Sequence, residues 1–279
     1  MSVPVLTRPS KHRGLGWGGW LSLVFLIFLL VCAVAPSLIA PGSPLVVDPG
    51  SGFQAPSLDH LFGTDESGRD TFTRVVHGTK DSLTIGVAAT SIGLIIALLL
   101  GVGSGLGPRW ADFTLNRLIE VLFALPGIVL ALLLITVIGP GVITSTIAGG
   151  VASAPGYARM IRTQTVKIAQ SGYVEADRVL GRAKGQILRR RIFPNLTVPL
   201  FVIATLGVGQ SVVWASSLSY LGLGVAPPSP EWGAMMNAGR TYLTSSAWWM
   251  TFFPGLAIIL TAVSTTVLSR AISAASRRA

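Results

Sequence analysis

Apolar residues gather into six stretches, 17–39, 83–106, 118–138, 141–157, 196–218 and 248–269, separated by polar segments rich in Gly and Pro. A helix rises about 1.5 Å per residue, so about 20 apolar residues cross the roughly 30 Å of a bilayer's hydrocarbon. Each stretch predicts a transmembrane helix. The fourth is short and rich in Gly, Ala, Ser and Thr, which predicts a helix that extends towards Ile161 and packs inside the bundle. The predicted fold class is an all-α, polytopic membrane protein with six transmembrane helices.

Composition agrees. Of 279 residues, 51% are hydrophobic and 11% charged, against about 25% charged in soluble domains. The net charge of +10 could suggest nucleic acid. The basic residues are confined to short loops beside apolar spans, however, without aromatic interleaving or a binding motif, so nucleic-acid binding is excluded. The single cysteine, Cys32, precludes an internal disulfide, so the extracytoplasmic parts depend on packing. Arg8, Lys11 and Arg13 before an apolar run could mimic a secretory signal. The run is too long and Pro36 follows the small-residue site. Leu29-Leu30-Val31-Cys32 has Val31 where a lipoprotein site needs a small residue. An uncleaved first transmembrane helix is expected.

Charge sets the orientation. With both termini cytoplasmic, 17 Lys and Arg lie inside and only Arg69, Arg74, Lys80 and Arg240 lie outside, as the positive-inside rule requires. The organisation is then a cytoplasmic N-tail (1–16), a first span (17–40) and an extracytoplasmic segment (41–80). A core (81–272) follows, with a cytoplasmic loop (159–194) and an extracytoplasmic loop (219–247), then a C-tail (273–279).

Within the spans, Ala89, Gly93, Ala97, Gly101 and Gly105 recur every fourth residue, as do Gly207, Ser211, Ala215 and Ser219. Small residues let helix backbones approach closely. A four-residue repeat drifts around a helix, so each stripe should meet more than one neighbour. Bundle packing and lining of a substrate path are both open. Gly101, Gly103, Gly105 and Gly107 end a membrane helix and are no dinucleotide fingerprint. Glu120, three residues past Arg117, is the one charge inside a span and is expected to be ion-paired. Without further intramembrane carboxylates an ion-coupled secondary transporter is a distant alternative. Gln210 is expected to make a helix–helix hydrogen bond, substrate contact being the other option.

Outside, Pro41, Pro44, Pro49 and Pro56 favour extended or turning chain. In residues 63–70, Thr64 or Asp65 can cap a turn and Gly68 lets the chain fold back, leaving Arg69 and Asp70 for local pairing. Bracing of the loop and contact with a delivery protein are both open. The second outer segment has Pro227, Pro228 and Pro230, then Trp232 and a short amphipathic stretch ending at Trp248 and Trp249, placed as an interfacial belt. His12, His60 and His77 are isolated, and no metal is assigned to them.

The loop 159–194 carries nine Lys and Arg. Residues 174–180 favour a short helix that Gly181 can end in the left-handed conformation, and a second short helix precedes Pro194. Val179, Leu180, Ile187 and Leu188 are expected to form its apolar side. Helices this short are marginal alone and need a surface to dock on.

At these residues a resemblance becomes specific. Glu175-Ala176-Asp177, Gly181 six positions after Glu175, and Ile192-Phe193-Pro194 resemble the Glu-Ala-Ala loop of membrane subunits of bacterial ABC importers. Leu61-Phe62-Gly63-Thr64-Asp65-Glu66-Ser67-Gly68-Arg69-Asp70, Pro155-Gly156-Tyr157-Ala158-Arg159, Ser219-Tyr220-Leu221-Gly222-Leu223-Gly224-Val225 and Phe253-Pro254-Gly255-Leu256-Ala257-Ile258 resemble the C-type subunit of the dipeptide/oligopeptide permeases, a family that includes nickel permeases. Asp177 stands where the family has a second Ala, and Phe193 where it has Leu; Asp177 could pair with Arg178, Arg182 or a basic partner surface.

The resemblance implies a type I ABC importer permease fold in a bacterial inner membrane, among membrane lipid, forming half of a pathway with a homologous second permease subunit. Two ATPase domains, separate or fused, would bind ATP and Mg, and an extracytoplasmic binding protein would deliver a short peptide. Nickel or a metal chelate is the alternative substrate. The chain has no Gly-x-x-x-x-Gly-Lys-Ser/Thr loop, so the resemblance makes it a mechanical subunit and not an enzyme. Glu175, Ala176, Asp177, Gly181, Ile192 and Pro194 are implied in ATPase coupling. Asp65, Arg69, Asp70 and Trp232 are the candidates for contact with the binding protein.

Overall fold

The computed structural model describes residues 16–244 and 247–276. Expectations for Arg8, Lys11, His12 and Arg13 in the N-tail, and for Arg277 and Arg278 in the C-tail, lie outside the described residues. Among the described residues the chain is helical, with one isolated bridge between Thr64 and Asp70. The longer helices are α1 (Gly16–Val34), α2 (Thr71–Leu106), α3 (Arg109–Ala124), α4 (Gly127–Ile138) and α5 (Val142–Ala169), then α8 (Phe193–Tyr220) and α10 (Trp249–Ser276). Between α5 and α8 lie the short α6 (Gly172–Val179) and α7 (Lys184–Ile187); α9 (Trp232–Gly239) precedes α10.

Four described helices are long and apolar enough to cross a membrane: α1, α2, the continuous run Lys184–Tyr220 and α10. The expected straight span over 118–138 is corrected. It is two helices, α3 and α4, meeting at 90°, and together they would supply a fifth crossing. Pro126 explains the break, since it lacks an amide donor and drives the preceding Leu125 to the extended backbone observed (ψ 133°). The fourth expected span corresponds to α5, which continues past Ile161 through Arg162 to Ala169 but is not among the helices long and apolar enough to cross, so the described residues give up to five crossings against the six expected.

The small residues do what close approach requires. Along α2, the interface with α5 is the most extensive in the fold. A Cβ on Gly93 would lie 2.9 Å from Gly150 O, and one on Gly101 2.7 Å from Ala158 O; Gly105 faces Thr165. Gly86, outside that stripe, faces Val212 of α8, and the stripe residue Ala97 shares a cluster with residues of α5 and with Ile203 of α8. Ala97 is fully buried beside Tyr157, Ala158 and Ile161. On α8, Gly207 faces Thr90 and Tyr157, while Ser211 Oγ accepts from Thr90 Oγ1 at 3.0 Å. Gln210 departs from expectation: it is exposed and has no hydrogen-bond partner among the described residues. Glu120 pairs with Arg117 at 3.1 Å on an exposed face. Large apolar side chains such as Leu21, Ile27 and Leu30 of α1 are more than half exposed. Such a surface is stable against lipid and not against water.

At its N-terminal end α2 begins at Thr71, ten residues inside the segment expected to be extracytoplasmic loop. Asp70 starts it, its Oδ2 accepting from Thr73 N and Oγ1, both at 2.8 Å. Trp249 is buried and not in a belt, donating from Nε1 to Thr64 O at 3.0 Å, and Phe62 stacks on Phe253 at 3.9 Å. These contacts hold the segment before α2 on α10.

Candidate functional site

The basic loop folds as an elbow. α5 ends at Ala169, α6 follows, and the chain reverses at Gly181, whose φ of 71° is unstrained only without a Cβ. α7 then runs through a π-wound turn, Leu188–Ile192, into α8. The π turn has a local cause. Pro194 cannot donate to the helix ladder, and Phe193 N–H already bonds Leu188 O, five residues back, so the ladder widens just before the proline.

One apolar plug fastens the elbow to the bundle. Val174, Ile187, Ile192 and Leu196 are buried together against Val102 of α2, Ile168 of α5 and Leu200 of α8. The expected apolar side is corrected here: Ile187 is inside and Leu188 partly so, but Val179 and Leu180 are 82% and 72% exposed. Val179 ends α6 and Leu180 caps it, five and six positions after the inward Val174, so the helical phase turns both away from the plug. Glu175 and Ala176 are exposed beside them, as are Gly181 and Pro194, whereas Asp177 and Ile192 are buried. Arg178, Arg182 and Lys184 border a groove of about 570 Å³ floored by Ile187 and Leu188.

Asp177 closes the elbow. Its Oδ2 accepts from Arg191 Nε at 2.8 Å, and its Oδ1 pairs with Arg182 Nη1 at 3.2 Å. Arg182 was an expected partner, Arg178 is not used, and Arg191 is new. The hydrogen bond from Arg191, with the charge of Arg182 and against the opposing effect of desolvation, holds the Asp177 carboxyl below the usual aspartate range. Nothing in the sequence marks which of three consecutive arginines turns back to Asp177; the winding of the π turn decides it. Val174 was missed as well, because only the helical phase of α6 reveals that it faces inward.

The candidates before α2 and at the start of α9 are built differently. Asp65 Oδ1 accepts from Ser67 N (2.9 Å) and Arg69 N (3.0 Å), and Oδ2 accepts from Arg69 Nε (2.7 Å). Arg69 Nη2 also reaches Glu66 Oε1 at 3.1 Å. Gly68 makes the reversal with φ 75°. Asp65, Arg69 and Trp232 are buried within the chain, which supports bracing, one of the two roles left open for the loop at Asp65 and Arg69. Asp70 is half-buried, capping α2 and pairing with His60 at 3.0 Å.

Residues 92–278 match the family described as binding-protein-dependent transport system inner membrane component. A di/tripeptide transport system permease protein of Pseudomonas aeruginosa is 34% identical over 278 residues, covering 94% of this chain and 90% of that one. A glutathione transport system permease protein of Escherichia coli is 39% identical over 246 residues, covering 88% and 81%. Among solved structures, a chain of the MetNI methionine ABC transporter in an inward facing conformation superposes with a TM-score of 0.59 at 23% identity, over 73% of this chain and 97% of that one. That likeness speaks to the fold.

Proposed function

Because this chain belongs to the binding-protein-dependent transport system inner membrane component family, we propose that it is the permease subunit of an ATP-driven importer of short peptides. The observation that carries the mechanical half of this reading is the elbow. Its plug, Val174, Ile187, Ile192 and Leu196, grips the inner ends of α2, α5 and α8, while its tip, Val179 and Leu180, presents apolar side chains with nothing packed on them. A push on the tip is delivered to three long helices at once. Partner ATPase domains holding ATP and Mg would supply that push, and the cationic rim of Arg178, Arg182 and Lys184 would meet acidic groups beside their docking cleft.

The peptide half rests on the relatives, whose names specify di- or tripeptides and glutathione. A homologous second permease would complete the pathway, a binding protein would deliver substrate outside, and both termini would lie in the cytoplasm. Affinity purification of the tagged chain, followed by uptake of labelled di- and tripeptides with and without it, tests both halves. Purification without an ATPase would refute the coupling role, and unchanged peptide uptake would refute the substrate.

A further inference from the structure

The outer end of α2 carries a second construction. Arg74 is buried, and its guanidinium donates from Nη1 to Pro44 O at 3.1 Å and from Nη2 to Pro228 O at 3.2 Å and Ser229 O at 3.3 Å. Its Nε lies 3.6 Å from Asp65 Oδ2. One turn further, a Cβ on Gly78 would strike Pro230 O, so the proline stretch lies flush on the helix. Another turn on, Ser82 Oγ accepts from Trp232 N at 3.1 Å and donates to Glu231 Oε1 at 3.3 Å, while Trp232 Nε1 reaches back to Val75 O at 2.9 Å. Glu231, 1% exposed, starts α9 by accepting from Gly233 N and Ala234 N.

A buried guanidinium is tolerated only where its geometry is well satisfied. Here a rigid fork spans carbonyls 30 and 154 positions away, which the point charge of a lysine could not do. α9 also packs on α8 and α10, its neighbours in the chain, and Ser216 Oγ of α8 donates to Glu231 Oε1 at 3.3 Å, but both donors of Trp232, its backbone N and Nε1, go to α2. α2 in turn lies along α5, and α5 leads into the elbow.

We propose that Arg74 is a positioning residue that latches residues 228–232, and with them α9, onto the outer end of α2, so that α9 moves with α2 during the access change. The inference rests on the permease reading only in requiring that α2 move. The test uses the full chain in its assembled transporter, with Cys32→Ala, Lys80→Cys and Thr241→Cys carrying spin labels at two exposed positions on α2 and just past α9. The expected result is one narrow distance, the same without nucleotide and with a trapped ATP analogue. Arg74→Gln should add a second, longer distance, and Arg74→Lys should not restore the single one. Gly78→Ala, which pushes on Pro230 without changing any charge, should give the same second distance, and it serves if Arg74→Gln does not assemble. A distance that shifts with nucleotide in the otherwise native chain, or variants that keep the single distance, would overturn the latch. If nucleotide moves no distance, including one across the elbow, the permease reading fails and the latch is decided by the Arg74 and Gly78 variants alone.

Discussion

Arg191 Nε donates to Asp177 Oδ2 at 2.8 Å, joining the π-wound turn to α6 across the reversal at Gly181. With Arg182 on the other carboxylate oxygen, one side chain ties three parts of the elbow together. Asp177→Ala, which installs the residue the family resemblance expects, removes that tie and leaves the apolar plug. The expected outcome is a subunit that inserts and binds its ATPase but hydrolyses more ATP per peptide moved. Asp177→Asn can still accept from one arginine and should be milder. Transport and ATP turnover measured in parallel in proteoliposomes decide it; an unchanged ratio for Asp177→Ala would show the clasp is not used in coupling.

The same pair sets a pH dependence with a definite sign. The folded carboxyl titrates below its unfolded value of about 4. Its stabilisation is therefore fully present above the unfolded value and is lost as pH falls through the lower, folded one. Hydrogen exchange of α6 and α7 amides, corrected for the intrinsic rate, should show protection constant from neutral pH down to about pH 5 and falling only below about pH 4. Loss of protection between pH 6 and pH 7, the histidine range, would contradict the assignment to Asp177.

Val179 and Leu180 are exposed at the tip, so replacing both by Ser removes docking surface without opening a cavity. Thermal stability of the isolated subunit should move by no more than about 0.5 kcal/mol, while recovery of the ATPase in affinity purification should drop sharply. Stability loss with normal recovery would mean that the tip packs within the chain.

How far the sequence reveals this design depends on whether the signal is local. The presence of apolar helices, the left-handed Gly181 and the small-residue faces of Gly93 and Gly101 follow from composition and spacing, because hydrocarbon thickness and backbone approach act on each helix separately, whereas the length of α2 does not. The 90° break at Pro126 had a local signal too, hidden by the hydropathy of its surroundings. What could not be read was partner choice among like groups: Arg191 over Arg178 for Asp177, and inward burial of Trp232 and Trp249, which an amphipathic pattern near a membrane surface equally suggests for an interfacial belt. The tryptophan outcomes depend on tertiary register, set by chain 157 and 185 positions away, and the arginine choice on the winding of the π turn, 14 positions from Asp177.

Gly207 lies where a Cβ would come within 2.7 Å of both Thr90 Cγ2 and the Tyr157 hydroxyl. Gly207→Ala should destabilise the bundle by about 1 to 3 kcal/mol, the usual cost of overpacking. That hydroxyl lies near the Ser153 and Ser211 side chains without making a well-formed hydrogen bond among the described residues, so Tyr157→Phe alone should be nearly neutral and should recover part of the loss when combined with Gly207→Ala. Thermal unfolding in detergent measures all three variants. A strongly destabilising Tyr157→Phe would show that the hydroxyl is bonded within the bundle.

The outer hairpin separates bracing from delivery. Arg69 is buried against Asp65 and Glu66, and truncating one partner of such a pair typically costs about 3 to 5 kcal/mol. Arg74 Nε remains 3.6 Å from Asp65 to share the charge, so Arg69→Ala should fall at the lower end of that range. Asp70→Ala removes only the cap of α2 and its His60 contact, a loss of about 1 kcal/mol. Thermal unfolding should therefore rank Arg69→Ala well below Asp70→Ala, with both changes visible in the purified subunit before any delivery protein is added. If Arg69→Ala instead left the subunit as stable as the native chain and weakened only the docking of a binding protein, Arg69 would belong to an interface and the buried geometry around Asp65 would need another explanation.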